Sequence, residues 1–104
     1  MAEFNYSKNS NKLSIVFSEK RLDYNTAVKL SDSIKSEVDR ILKEEEGKPT
    51  IVFDLRNVEY VSSMFIRTVL LLVNKVGKEN LQIANANIFV YNLFNETGLS
   101  SLMA

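Results

Sequence analysis

The segment Thr50-Ile-Val-Phe-Asp-Leu55 limits the possible folds of this chain more than any other feature. It is a nearly continuous apolar run, and such runs are typical of a central β-strand that is covered on both faces. The strands and helices that cover it have to come from the rest of the chain. We therefore expect this strand in the middle of a small sheet with helices packed on it.

The flanking patterns predict the first elements. Lys12–Phe17 is short, apolar and β-branched and follows a polar turn, so it predicts a strand, with Phe4–Tyr6 as its candidate partner. Asn80–Ala84 predicts a further short strand.

From Thr26 to Glu44, apolar residues recur at steps of three and four, which predicts a helix. Its expected inner stripe is Ala27, Leu30, Ile34, Val38 and Ile41, its N-cap Asn25 or Asp23, and its end Gly47 and Pro49.

Two later segments predict helices. Met64–Val76 lacks Gly and Pro and is rich in Leu, with Ser62 as N-cap and Gly77 at its end. Asn87 is expected to cap a brief helix from residue 88 to about residue 95. The predicted order is strand, strand, helix, strand, helix, strand, helix. We expect an α/β fold, a small mixed β-sheet with helices packed on it, formed by residues 1–104 as a single domain.

The composition excludes several classes of function. The 104 residues contain 13 Lys and Arg and 13 Asp and Glu, and the basic residues are scattered, so no nucleic acid is expected as a partner. Because the chain has no Cys and no His, it lacks thiolates, disulfides and the commonest general base and metal ligand. We expect a protein that is not an enzyme and that uses no metal and no cofactor.

The sequence also bears on location. Residues 1–6 lack a basic segment followed by an apolar stretch, and no apolar run approaches the ~20 residues of a membrane span. We therefore expect a cytoplasmic protein without direct membrane insertion.

The segment Ile51-Val-Phe-Asp-Leu55, followed by Val58-Glu-Tyr-Val61-Ser62-Ser63, resembles STAS domains, the fold of bacterial anti-sigma factor antagonists. The family pattern is an apolar strand ending in Asp-Leu, a short hydrophobic turn, and Asp-Ser-Ser-Gly at the start of a helix. The helix-to-strand spacing and the C-terminal Leu93-Phe94-Asn-Glu-Thr-Gly98-Leu99 segment also fit the family. The resemblance spans most of the chain and implies a bacterial transcription regulator that binds a protein partner.

The resemblance also implies a site. Ser63 takes the place of the serine that a partner anti-sigma kinase phosphorylates in the family, and the added charge abolishes the complex. Ser62, Met64, Phe65 and Arg67 stand where the family has Asp, Ser, Gly and a second, common Gly. Of this motif the chain keeps the phosphorylatable serine.

These residues also have a physical interpretation of their own. Ser63 falls in the first turn of the predicted helix, where free N–H groups and the helix dipole favour a phosphate, and Arg67 lies one turn further on. The alternative stays open that Ser62 and Ser63 are capping residues and Arg67 a solvated charge. Phe65 either fills a pocket of this protein or projects toward a partner, and it would obstruct a kinase adapted to glycine.

The same helix has apolar residues on a second side. Met64 and Leu71 are expected to be exposed near Ser63, either as a protein-binding face or as isolated surface residues. Phe89 and Tyr91 either extend that surface or pack against the sheet. The expected inner stripe is Ile66, Val69, Leu70 and Val73, with Thr68 and Lys75 between Met64 and Leu71 on the outer side.

For two groups of carboxylates, the sequence favours a structural role. Asp54 ends the central strand, and we expect it to accept backbone or Ser hydrogen bonds in the next turn rather than to bind a ligand or ion. Glu44-Glu45-Glu46 is expected to be a solvated helix end rather than a metal site.

The function that we favour is an anti-sigma factor antagonist that binds its kinase through the start of the predicted helix and is released when Ser63 is phosphorylated. The alternative is a non-switching subunit of a signalling or transport complex, and a homodimer stays open. An enzyme or sensor with Asp54, Ser63 and Arg67 around a pocket is the weakest of the three. The expected partner-binding residues are Ser62, Ser63, Met64, Phe65, Arg67 and Leu71.

Overall fold

The computed structural model describes residues 2–104. The strands are β1 (Ala2–Ser7), β2 (Lys12–Phe17), β3 (Arg21–Leu22), β4 (Thr50–Asp54), β5 (Tyr60–Val61) and β6 (Leu81–Ala84). The helices are α1 (Tyr24–Glu44), α2 (Ser63–Val76) and α3 (Ile88–Glu96), and short 3₁₀ turns follow at Lys78–Asn80 and Ser100–Leu102. The predicted mixed α/β fold is therefore confirmed, with two extra two-residue strands that leave no pattern in the sequence.

The main sheet has the strand order β1-β2-β4-β6. β1 pairs with β2 antiparallel, in agreement with the predicted pairing, whereas β2, β4 and β6 run parallel. Strand β4 has a neighbour on each side, as its apolar sequence predicts. The outer edge of β6 is covered by the C-terminal segment, because Met103 bridges to Ile83 and the Ala104 N–H donates to the Ile83 carbonyl at 2.9 Å.

Helices α1 and α2 lie on the same face of this sheet. Both crossovers, β2-α1-β4 and β4-α2-β6, step in the same direction, and right-handed crossovers then place both helices on one side. The Lys75 ammonium lies 2.6 Å from the Asp39 carboxylate and joins the two helices. On the other face Val52 is only half-buried, next to the half-buried Ser14 of β2 and the exposed Gln82 of β6. The expectation that both faces of β4 are covered is wrong for this reason.

One hydrophobic core fills the space between the sheet and the helices. The predicted inner stripe of α1 is buried in full, and Asp23 is its N-cap, with its carboxylate accepting from the Thr26 N–H at 3.0 Å. At the centre, the rings of Phe17, Phe53 and Phe65 lie with centroids 5.6–5.9 Å apart, two of the three pairs edge to face. Such contacts stabilise the core in addition to the stabilisation that comes from burying the rings.

The short strands β3 and β5 form a separate parallel ribbon next to the start of α2. Arg21 is paired with Tyr60 and Leu22 with Val61. The Ser62 N–H continues this ribbon by donating to the Leu22 carbonyl at 2.9 Å. The ribbon therefore fixes where α2 begins.

Candidate functional site

The first turn of α2 begins at a buried serine and exposes the next one. Ser62 is the N-cap, as predicted, and its hydroxyl accepts from the Phe65 N–H at 3.4 Å. Its burial and its bond to β3 make it a structural residue of this turn. Ser63, the first residue of the helix, is exposed.

The N–H groups at this helix start are available to an anion. Within residues 2–104, the N–H groups of Ser63 and Met64 have no hydrogen-bond acceptor, and the first turn contains no acidic side chain. Free N–H groups at the positive end of a helix dipole stabilise a negative charge. A phosphate on Ser63 would therefore fit the first turn without disrupting the helix.

The exposed face of α2 continues from Ser63 through Arg67 to Leu70 and Leu71. Arg67 follows Ser63 by four residues, the spacing at which side chains on a helix meet, and in the described part of the chain it forms no ion pair. Leu70 and Leu71 are 43% and 37% exposed. Met64 is half-buried and packs against the core rather than projecting fully into solvent.

The inner stripe of α2 differs from the predicted one. The spacing predicts Leu70 inside and Thr68 outside, whereas Leu70 is exposed and Thr68 is buried. Thr68 tolerates burial because its hydroxyl donates to the Met64 carbonyl at 3.1 Å. The helix is apolar on most sides, so several stripes were compatible with its sequence. The residues actually buried are Phe65, Ile66, Thr68, Val69, Leu72 and Val76.

Phe65 occupies the core and does not reach the surface. Its ring is 1% exposed and contacts Phe17 and Phe53. Of the two alternatives for Phe65, the structure therefore shows the first, in which the ring fills a pocket of this protein. A ring that points inward leaves the surface beside Ser63 unobstructed.

Asp54 is held by the turn that follows β4. Its carboxylate accepts from the Arg56 backbone N–H at 3.1 Å, from the Arg56 guanidinium, and from the Asn85 amide at 3.0 Å. The Arg56 guanidinium, helped by Asn85, holds the pKa of Asp54 down at about 2, although burial acts in the opposite direction. Asp54 therefore ties the ends of β4 and β6 together, a structural role of the kind expected.

A surface depression of about 430 Å³ lies beyond this turn. Neither Asp54, Ser63 nor Arg67 lines it, so the structure does not bring these three residues around one pocket. Most of its polar groups are bonded within the protein: the Asn57 amide donates to Phe17, and the Asn87 amide to Val58 and Glu59. The depression is lined by Ser18, Lys20, Leu55, Arg56, Asn57, Val58, Glu59, Asn85 and Asn87.

The acidic end of α1 is a surface feature. Glu44 pairs with Arg40 at 2.8 Å, and Glu45 lies 4.0 Å from Lys8. Nowhere among residues 2–104 do three or more potential metal-binding side chains cluster. No helix in the same residues has both the length and the apolar character needed to cross a membrane.

Helix α3 begins with three exposed apolar side chains. Asn87 caps it, as predicted, by accepting from the Val90 N–H at 2.8 Å, and Val90 and Phe94 anchor it in the core. Phe89 is 52% exposed and stacks on Tyr60, with ring centroids 6.3 Å apart. Tyr91, 40% exposed, lies two residues further on and about 200° around the helix, on its other flank. Neither ring packs inside the sheet core.

The fold and this helix start correspond to a known domain family. The family model of the STAS domain matches residues 8–104. The chain therefore belongs to the STAS domain family, as its sequence motifs predict. No curated protein sequence matches it.

A solved structure of the same fold is that of the anti-sigma factor antagonist SpoIIAA in its unphosphorylated form. The two structures agree with a TM-score of 0.77 at 15% sequence identity, over 100% of this chain and 86% of the other. At this identity the similarity establishes the shared fold.

Proposed function

We propose that this chain is a single STAS module, residues 1–104, that regulates transcription in the bacterial cytoplasm as an anti-sigma factor antagonist. It binds its protein partner, an anti-sigma kinase, through the exposed start of α2 and performs no catalysis. The observation that carries the proposal is the exposure of Ser63 in a helix turn with free N–H groups and with Arg67 one turn away. Met64, Leu70 and Leu71 supply apolar contact area on the same helix.

Phosphorylation of Ser63 is the proposed switch. The phosphate would carry a charge of about −1.5 to −2, which the helix dipole and Arg67 stabilise within this protein. The same charge is costly in an interface that has to exclude water. The modified chain therefore stays folded and loses its partner.

Intact-mass spectrometry tests the switch. The protein is purified from its own cells and incubated with extract and ATP, next to Ser63→Ala and to Ser33→Ala, which removes an exposed serine of α1. We expect one added phosphate on the wild type and on Ser33→Ala, and none on Ser63→Ala. Equal phosphorylation of all three proteins, or of none, would overturn the switch.

A second candidate function is a permanent interaction subunit of a signalling or transport assembly, or a homodimer. It is supported by Leu70 and Leu71, because adjacent exposed leucines suit an interface that is never opened. Its signature is a partner that remains bound whether or not ATP is present. In that case Ser63 is only a structural residue of the first turn of α2 and is not a switch.

A further inference from the structure

A partly exposed stack of side chains lies on the β3–β5 ribbon, outside α2. The Tyr60 and Phe89 rings are nearly parallel, at 28°, and the Arg21 guanidinium carbon lies 4.5 Å from the centre of the Tyr60 ring. Ile88, the first residue of α3, is exposed beside Phe89. These four side chains, Arg21, Tyr60, Ile88 and Phe89, are called here the aromatic platform.

The platform is ordered but not covered. Helix α3 is anchored by Val90 and Phe94, so the core does not need the Phe89 ring. Stacking and the cation–π contact hold the rings and the guanidinium in place, with Arg21 and Phe89 exposed and Tyr60 half-buried. Pre-positioned aromatic and Arg side chains are the types that contribute most to protein interfaces, because little freedom is lost when they are covered.

The platform lies within reach of a partner bound at Ser63. Tyr60 precedes Ser63 by three residues, so their Cα atoms are at most about 11 Å apart. An interface of ordinary size covers about 800 Å² on each protein, which is roughly 30 Å across. A partner bound at the start of α2 therefore extends to the platform.

The charges around the platform indicate the chemistry of that partner. Arg21 and Arg67 form no salt bridge within residues 2–104, and Lys20 next to Arg21 is exposed. Of the nearby carboxylates, Asp23 caps α1, and Glu59 is exposed, lines the depression and forms no ion pair with Arg21 or Arg67. The basic groups are therefore free to pair with carboxylates from outside.

We infer that the aromatic platform is the second half of the partner interface, and that the partner covers Phe89 and Ile88 with apolar side chains and pairs Arg21 and Arg67 with carboxylates. The inference rests on the proposed function and adds the direction in which phosphorylation of Ser63 changes the affinity for the partner. A phosphate on Ser63 competes for Arg67 and repels the partner's carboxylates, so it releases the partner. A basic partner would instead bind the phosphorylated form more tightly.

Site-specific photocrosslinking tests the extent of the interface. Benzoylphenylalanine replaces one residue at a time in the cells of origin: Leu70 on the exposed face of α2, Phe89 on the platform, or Tyr91 on the opposite flank of α3 as the matched control. We expect the same protein to be captured at positions 70 and 89, and none at 91. Capture at 70 alone overturns the platform and leaves the proposed function standing. Capture at 89 alone, or at neither position, overturns both.

Binding of that captured and purified protein tests the chemistry. We expect Phe89→Ala and Arg21→Glu each to weaken binding about tenfold or more, and Tyr91→Ala and Lys29→Glu to stay within about twofold. Added salt should also weaken wild-type binding. If Arg21→Glu binds as well as the wild type, or more tightly, the acidic partner is wrong. Thermal unfolding midpoints equal to that of the wild type establish that the exposed variants are folded.

Discussion

Two polar regions of this molecule differ in how their hydrogen-bonding groups are used. In the turn after β4, the Asp54 carboxylate accepts hydrogen bonds from Arg56 and from the Asn85 amide, so these polar groups are paired within the protein. At the start of α2, the N–H of Ser63 and the guanidinium of Arg67 have no partner within residues 2–104. Both regions contain the polar motifs that draw attention in the sequence. Polar groups that are bonded within the protein hold the fold, whereas exposed and unbonded groups are available to a partner.

The largest effect is expected at a residue that is next to Ser63 in sequence but belongs to the core. Phe65→Ala removes a fully buried ring from the Phe17–Phe53 cluster and should lower the free energy of unfolding by about 3–5 kcal/mol. Urea unfolding followed by far-UV circular dichroism measures this loss. Arg67→Ala, two residues further on and exposed, is the control and should change stability by less than about 0.5 kcal/mol. Equal effects of the two variants would contradict the placement of Phe65.

The bonded region should reveal itself through pH. The pKa of Asp54 is lowered from 3.8 to about 2 in the folded protein, so its ionised form stabilises the fold above about pH 4. This stabilisation is lost as the pH falls from about 4 toward 2, where the folded protein also takes up the proton. Because Arg56 is largely exposed, solvent screening limits the effect to about 1 kcal/mol.

Asp54→Asn tests this assignment against Glu59→Gln, which alters an exposed carboxylate of the same turn. Unfolding free energies are measured at pH 7, 4 and 2.5. We expect the asparagine variant to be less stable at pH 7 and to lose less stability than the wild type between pH 4 and 2.5. The Glu59→Gln variant should follow the wild type. If the unfolding free energy of Asp54→Asn depends on pH in the same way as that of the wild type, the stability of the turn does not depend on this carboxylate.

A third kind of polar group is buried but has no hydrogen bond. The Ser31 hydroxyl on α1 is buried without a hydrogen-bond partner within the described residues. Ser31→Ala should therefore raise the free energy of unfolding by about 1 kcal/mol beyond the helix-propensity gain. Ser33→Ala on the exposed side of α1 measures that gain by itself. If the two variants are equally stable, the Ser31 hydroxyl has found a partner.

How far the sequence predicts this structure differs between the two long helices. Helix α1 alternates clear apolar and charged positions, so its buried stripe and its N-cap region could be read from the spacing. Helix α2 is apolar on most of its surface, so its spacing predicts the buried stripe at the wrong angle, with Leu70 inside and Thr68 outside. What decided the angle was the contact of Phe65 with two strands and the bond of Thr68 within the helix. Neither is visible in local periodicity.

The candidate site was predictable to a similar, partial extent. The cap role of Ser62 and the exposure of Ser63 follow from the strand-to-helix motif, which is local. The Tyr60–Phe89 stack could not be predicted, because it joins residues that are far apart in the sequence and depends on how α3 meets the two-residue strand β5. Strands that short carry no alternation of apolar and polar residues.

The smallest effect on stability, with the largest on binding, is expected for Ser63→Asp. A carboxylate at the first helix position interacts favourably with the dipole and with Arg67, so the free energy of unfolding should rise by about 0.3–0.5 kcal/mol or stay unchanged. Binding of the partner should nevertheless be lost, because the charge lies in the interface. Urea unfolding and titration with the purified partner measure the two quantities on the same protein, with Ser63→Asn as the uncharged control. A variant that loses stability and binding together would instead mean that this first turn, like the turn around Asp54, serves to hold the fold.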